Sequence, residues 1–181
     1  MSRILLGVSA GIAAYKAIDL ASKLTQRGDE VRTLLTPHAL NFLTPLSFRA
    51  VTRQPVYTDT FEEDPEYKPG HVSLSEWPDV LVVAPATADL IARIAAGLGD
   101  NILTVTLIAF EKPVIVAPAM NDRMWAHPFV RRNIEALRKI GYHILEPGIG
   151  HLACGSMGPG RLPETPELIA AIDAALKGQK P

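Results

Sequence analysis

The chain has one cysteine among 181 residues, no surplus of either charge and no apolar run long enough to span a bilayer. Each shortage excludes a class of protein. A single cysteine rules out an intramolecular disulfide framework. Eighteen basic against nineteen acidic residues give a net charge of −1, with no basic stripe to follow a nucleic-acid backbone or hold an anionic membrane. Met1-Ser2-Arg3 runs directly into a strand-like segment without the features of a signal peptide, so the cytoplasm is the expected compartment. Also missing are the Gly-x-Gly-x-x-Gly spacing of an ordinary dinucleotide turn and the Lys-Ser/Thr pair of a phosphate loop. The chain carries no repeat or low-complexity tract, and no metal ligands are assigned.

What is present is apolar and regularly spaced. With 48% hydrophobic residues the chain can bury one sizeable core, and residues 1–181 read as a single domain. Apolar, β-branched runs at Ile4–Val8, Val31–Leu35, Val80–Ala84, Val114–Ala117 and Tyr142–Leu145 suit strands buried on both faces, hence a parallel sheet. Between them, Ile12–Gln26, Thr87–Ala96, Phe129–Ile140 and Pro166–Leu176 have helical period. The alternation predicts an α/β doubly wound parallel sheet with helices on both faces, a three-layer αβα sandwich. Gly28 and Gly141 fall where helix C-terminal caps belong, and Asp59–Gly70, with two prolines and five acids, reads as a surface excursion.

In such a sheet ligands bind beyond the carboxyl ends of the strands, so the residues that follow each strand carry the functional signal. After the first strand, small residues in Gly7-Val8-Ser9-Ala10-Gly11-Ile12-Ala13-Ala14-Tyr15-Lys16 would let backbone amides approach an anion or a flat ring. Gly7-Val8-Ser9-Ala10-Gly11 also matches the Gly-x-Ser-x-Gly nucleophile elbow, but an elbow follows an inner strand, after a loop that supplies an oxyanion donor, and nothing precedes this one. Thr36-Pro37-His38 and Ala84-Pro85-Ala86-Thr87-Ala88-Asp89-Leu90 place hydroxyls, an imidazole and a carboxylate at the same edge, where helix capping explains them equally well. Pro118-Ala119-Met120-Asn121-Asp122-Arg123-Met124-Trp125 gathers an amide, a cation and an indole, more than a turn requires. Cys154 lies in the glycine-dense stretch His151–Arg161, which offers it no core to pack and no regular element. A thiol placed there serves as proton donor or nucleophile, unless it is only a small loop residue.

Taken together, Ser9-Ala10-Gly11-Ile12-Ala13-Ala14-Tyr15-Lys16, His71 ahead of Trp77, Ala84-Pro85-Ala86-Thr87-Ala88 with Asp100-Asn101, Pro118-Ala119-Met120-Asn121 and Ala153-Cys154-Gly155 follow the order found in the flavin-dependent cysteine decarboxylases. The chain resembles that family from about Arg3 to Pro163, and the pairing of Pro-Ala-Met-Asn with the later Ala-Cys-Gly is specific where each fragment alone is not. The resemblance implies a Rossmann-like or flavodoxin-like fold, FMN as cofactor, and decarboxylation of 4′-phosphopantothenoylcysteine to 4′-phosphopantetheine in coenzyme A biosynthesis. A cysteinyl carboxylate cannot leave until the flavin has taken a hydride and made a thioaldehyde electron sink; the ene-thiolate left after CO2 loss is then protonated and reduced.

By the same matching, His71 and Cys154 would be catalytic, Cys154 as the proton donor. Asn121 would grip the substrate carboxylate, with Met120 and Ala153 beside it. Ser9, Gly11, Ile12, Ala13, Thr36, His38, Thr87, Ala88, Asp89, Leu90 and Ala119 would contact FMN. Relatives often have asparagine and threonine where this chain has Asp89 and Leu90, so polar flavin contacts from those two residues are expected only through backbone. The family implies a homo-oligomer, a trimer or a multiple of trimers, and a phosphopantothenate-cysteine ligase either fused or separate, which would make this chain free-standing or an excised domain. Peptidyl-cysteine decarboxylases and prenyl-flavin-forming transferases are the neighbouring activities, and Cys154 argues against both. A non-catalytic FMN-binding regulatory subunit would not need His71, Asn121 and Cys154 together. The Gly148–Arg161 segment is expected to act as a flap that delivers Cys154.

Overall fold

In the computed structural model of the chain, residues 1–60 and 70–178 are described. Most of the Asp59–Gly70 excursion expected from the sequence lies outside them. The elements run β1 (Arg3–Val8), a 3-10 turn (Ile12–Ala14), α1 (Tyr15–Gln26), β2 (Glu30–Leu35), a second 3-10 turn (Pro37–Asn41), α2 (Pro45–Thr52), β3 (Val56–Tyr57), α3 (Gly70–Glu76), β4 (Val80–Ala86), α4 (Ala88–Ala95), α5 (Ile102–Ala109), β5 (Val114–Pro118), α6 (Asp122–Ala126), α7 (Pro128–Lys139), β6 (His143–Ile144), β7 (Gly148–His151), β8 (Met157–Arg161) and α8 (Thr165–Leu176).

β1 to β6 form one parallel sheet in the order β3-β2-β1-β4-β5-β6. That is the doubly wound six-strand order; without the two-residue edge strand β3 it becomes the flavodoxin-like order. Either way the winding direction reverses between β1 and β4. Alternate strand residues serve opposite faces: Ile4, Leu6 and Val8 pack with Leu20 and Leu24 of α1, Phe48 of α2 and Ile172 of α8. Leu5, Leu81 and Val83 pack with Leu74 of α3, Leu90 of α4, Leu103 of α5 and Leu137 of α7. Both faces are covered, which is why the strands read as unbroken apolar runs; each fully buried Leu or Ile contributes about 1.5–3 kcal/mol. Among the described residues no helix is long and apolar enough to cross a membrane.

The helices and strands expected from the sequence are present, and Gly28 and Gly141 end α1 and α7 with φ of 96° and 93°. Other elements were hidden. Ile102–Ala109 is rich in β-branched residues and apolar on all sides, yet Asn101 accepts the amide protons of Leu103 and Thr104 while Thr104 Oγ1 accepts that of Asn101, a capping box that starts a helix. The His151–Arg161 stretch, expected to form no regular element, carries the end of β7 and the whole of β8, which pair antiparallel. Their residues have little strand propensity, so the pairing rests on backbone hydrogen bonds and on docking, through the Met120 amide donating to the Gly160 carbonyl at 2.9 Å.

At the reversal point β1 and β4 end side by side, and Ser9 ties them. Its hydroxyl donates to the Pro85 carbonyl at 2.8 Å and accepts the Thr87 amide at 3.0 Å, with the residue only 2% exposed. The hydroxyl proton is therefore committed to a backbone oxygen, with no imidazole to take it, unlike that of a hydrolase nucleophile. Ser9→Ala would leave the part-buried Thr87 amide without this acceptor and the Pro85 carbonyl with only the Ser9 amide, at 3.2 Å, and is expected to lower the unfolding free energy by about 1–3 kcal/mol. An unchanged urea midpoint would show that the hydroxyl does not hold the seam.

Candidate active site

Two cavities open beyond the carboxyl ends of the strands, on either side of Ala10, which lines both. The larger, about 610 Å³, is walled by the 3-10 turn after β1, the loop after β5 and the β7–β8 hairpin. Gly11, Ile12, Ala13, Ala119, Met120, Asn121, Ala153 and Cys154 of the expected site residues line it. The smaller, about 480 Å³, is lined by Ser9, Thr36, His38, Thr87, Asp89 and Leu90, together with Arg93, Asp100 and Asn101. Ala88 and His71 line neither. His71 is half-buried on α3, which packs against α5 on one face of the sheet.

The loop after β5 is held in place from both sides. The Ala119 amide donates to Ala86 and so extends the sheet, and the Met120 amide donates to Gly160 of the hairpin. Gly160 has a φ of 152°, and a Cβ there would collide with the Met120 carbonyl oxygen, so only glycine lets the hairpin sit this close. Asn121 then caps α6: its Oδ1 accepts the Arg123 amide at 2.8 Å. With the oxygen so engaged, the Nδ2 end faces Cys154, donating to Sγ at 2.9 Å.

Cys154 lies in the turn that joins β7 to β8, closed by the Gly155 amide donating to Leu152 and requiring the φ of 88° at Gly155. The thiol is exposed and faces a short chain of groups: Ser156 Oγ is 3.2 Å from Sγ and donates to Asp122 Oδ1 at 2.9 Å. The serine proton thus has two claimants. A protonated Cys154 can donate to Ser156 while Ser156 donates to Asp122; a thiolate competes with Asp122 for the same proton. The thiol is held below its ordinary value, first by the Ser156 hydroxyl, then by the Ser156 backbone amide, against an opposing effect of burial and with a smaller contribution from Asn121. Ser156 and Asp122 were not singled out from the sequence, because nothing local marks residues separated by 34 positions as partners.

The walls suit a flat, anionic ligand. Gly11, with φ of 117° and open space where a Cβ would point, leaves bare backbone beside the larger cavity, and Ala10, Ala13, Ala119 and Pro85 give small apolar surfaces. Thr87 caps α4 by accepting the Leu90 amide, so the positive end of that helix borders the smaller cavity, and Thr36 caps the second 3-10 turn in the same way. Asp89 is already engaged by Arg93 at 2.9 Å, and Arg93 also pairs with Asp100.

Comparison with known proteins adds independent findings. The model of the family described as Flavoprotein matches residues 1–177. The coenzyme A biosynthesis bifunctional protein CoaBC of Bacillus subtilis is 48% identical over 169 residues, 93% of this chain and 41% of the relative. Its counterpart from Mycobacterium tuberculosis is 45% identical over 175 residues, 97% of this chain and again 41% of the relative. The chain therefore spans about two fifths of the length of these curated relatives. Among solved structures, a PPC decarboxylase mutant complexed with pantothenoylaminoethenethiol superposes with a TM-score of 0.86 at 33% identity, covering 97% of this chain and 98% of that one. The FMN-dependent cysteine decarboxylase SpaF gives 0.86 at 35% identity, covering 98% and 97%. The FMN binding protein AtHal3 gives 0.83 at 33% identity, covering 98% of each chain.

Removing the donor in Ser156→Ala is expected to raise the Cys154 pKa toward the ordinary thiol value, whereas Asp122→Asn, which removes a negative charge and a competitor for the serine proton, is expected to lower it further. The pH dependence of alkylation by iodoacetamide reads both shifts on the chain's one thiol; a profile that moves in neither variant would mean that the two side chains do not govern the sulfur.

Proposed function

The chain belongs to the flavoprotein family, and from that premise we propose that residues 1–181 act as one FMN-binding domain that decarboxylates 4′-phosphopantothenoylcysteine to 4′-phosphopantetheine in coenzyme A biosynthesis. The observation that carries the reading is the apposition of Asn121 Nδ2 and Cys154 Sγ, 2.9 Å apart, on a cavity bordered by a bare glycine backbone. When bound, FMN supplies the two-electron oxidation that a cysteinyl carboxylate needs before CO2 can leave, and returns the hydride afterwards. The segment Gly11–Ala13 and Ala119, with Ser9, Thr36, His38 and Thr87 to Leu90, would hold it.

The protein's own groups do the rest. Asn121, its oxygen fixed by the α6 cap, presents N–H to the substrate carboxylate, giving orientation without a positive charge that would oppose CO2 loss. Met120 and Ala153 flank that position. Cys154 delivers a proton to the carbon left by CO2, and Ser156 with Asp122 sets how readily the thiol releases it and how the proton is replaced. The peptidyl-cysteine alternative needs no such donor. A cytoplasmic setting fits a substrate of central metabolism, and the bifunctional relatives point to a ligase partner, fused or separate.

His71 enters from elsewhere. It lines neither cavity of its own chain, and Ile12, Tyr15, Phe42 and Leu46 leave large apolar side chains exposed on the segments that follow β1 and β2. Both observations support a homo-oligomer, a trimer or a multiple of one, in which His71 serves the cavity of a neighbouring copy.

The purified chain is expected to carry FMN, seen as an oxidised-flavin absorption and as released chromophore. Cys154→Ser should still release CO2 while 4′-phosphopantetheine formation falls by about 100-fold or more; equal loss of both products would remove the proton-donor role. Mixed assemblies of His71→Asn and Cys154→Ser chains, each failing alone to form 4′-phosphopantetheine at the normal rate, should regain its formation at about a quarter of their sites if the histidine acts across an interface. Mixtures that remain inactive would place His71 outside the neighbour's site.

A further inference from the structure

At the edge of the larger cavity two cations converge on one carboxylate. Lys16 Nζ lies 2.9 Å from Glu164 Oε1, and Arg161 Nη2 reaches the same oxygen at 3.2 Å. Lys16 and Arg161 line the cavity that holds Asn121 and Cys154; Glu164 does not.

Three features make this cluster a poor choice for a scaffold. Lys16 is the second residue of α1, with no acidic residue in that first turn, so its charge sits at the positive end of the helix dipole. Glu164 occupies the N-cap position of α8 but makes no capping bond, its carboxylate turned to the cations instead. Arg161 passes close over Gly150, where a Cβ would come within 2.8 Å of its guanidinium, so any larger residue at 150 would push the arginine out of its present position. Local rules set aside together at the rim of a cavity are what a place kept for a ligand requires.

The exposures give a direction. The Lys16 side chain is 17% exposed, Arg161 43% and Glu164 56%, so the carboxylate is the outermost member and the easiest to displace. Hydrogen bonding and charge from Lys16, and less from Arg161, hold Glu164 below the usual carboxylate range, so it stays ionised and the group keeps one net positive charge.

We propose that Lys16 and Arg161 form the seat of the substrate's phosphate monoester, with Glu164 as the resident counter-ion that holds both side chains extended and gives way on binding. The inference rests on the function proposed above, which supplies the phosphorylated substrate. A phosphate offers three oxygens where Glu164 offers one, enough to engage the guanidinium fork and the ammonium together. FMN carries the same group. Residues proposed to hold FMN line both cavities, but the capped helix starts at Thr36 and Thr87, which suit its phosphate, border the smaller one, whereas the pair shares the larger one with Asn121 and Cys154; that placement assigns it to the substrate.

Equilibrium binding of 4′-phosphopantetheine and of pantetheine to the FMN-loaded chain tests this without requiring turnover. The wild type should bind the phosphorylated ligand more tightly. Lys16→Met and Arg161→Met should each cut that preference by about tenfold, Lys16→Arg should restore part of it, and Glu164→Gln should increase it. A preference that is absent in the wild type, or equal in wild type and both methionine variants, overturns the proposal. So does a preference that persists while the apo-chain's selection of FMN over riboflavin collapses, which would put the cations under the cofactor. Turnover is scored separately: failure to decarboxylate 4′-phosphopantothenoylcysteine sinks the assigned reaction, not the phosphate seat.

Discussion

Ser9 carries a hydroxyl with one proton, buried at the one place where the sheet changes winding direction, and both of its neighbours there are backbone groups of the β4 end. Everything functional depends on that seam. It fixes where the chain leaves β1, hence where Gly11 and the 3-10 turn lie, and where it leaves β4, hence where α4 begins. The Ala119 amide, paired with Ala86, extends the same alignment to β5, and Met120 passes it on to the hairpin. The position of Cys154 is therefore set through a series of backbone hydrogen bonds from the sheet, not by side-chain packing of its own.

This chain of support explains what could be read in the sequence. Buried parallel strands need apolar residues on both faces, so Ile4–Val8, Val80–Ala84 and Val114–Ala117 announced themselves, and the residues after them were the right ones to inspect. Asn121 and Cys154 stood out by residue type. Their partners did not, since Ser156 and Asp122 are ordinary polar residues until the hairpin folds back onto α6. The hairpin was misread because Gly148-Ile149-Gly150-His151 and Met157-Gly158-Pro159-Gly160-Arg161 have a loop's composition. Glycine is present there to allow close approach to Met120, Asp122 and Arg161, not to give freedom. The helix at Ile102–Ala109 was hidden for the converse reason, a strand-like composition overruled by the hydrogen bonds of one cap.

The electrostatic plan of the larger cavity is asymmetric. Near Cys154 the groups that touch the sulfur are neutral, an amide and a hydroxyl, with the nearest carboxylate one hydroxyl away. The cations, Lys16 and Arg161, are shared with Glu164 at a carboxylate that lies outside the cavity lining. In the reaction proposed above, a carboxylate that leaves as CO2 would thereby be kept from a strong positive field, while a charge that survives the reaction would be held by one. That separation is a matter of placement on one scaffold: Lys16 on α1, Arg161 at the end of β8, Asn121 at the start of α6.

Ala10 stands between the two cavities and is the residue common to both linings. It brings only a methyl group to that position, about the smallest side chain a chiral residue can have. Position 10 is accordingly governed by volume: any larger side chain there would take space from one chamber or the other, so the room left for each ligand is linked through a single residue.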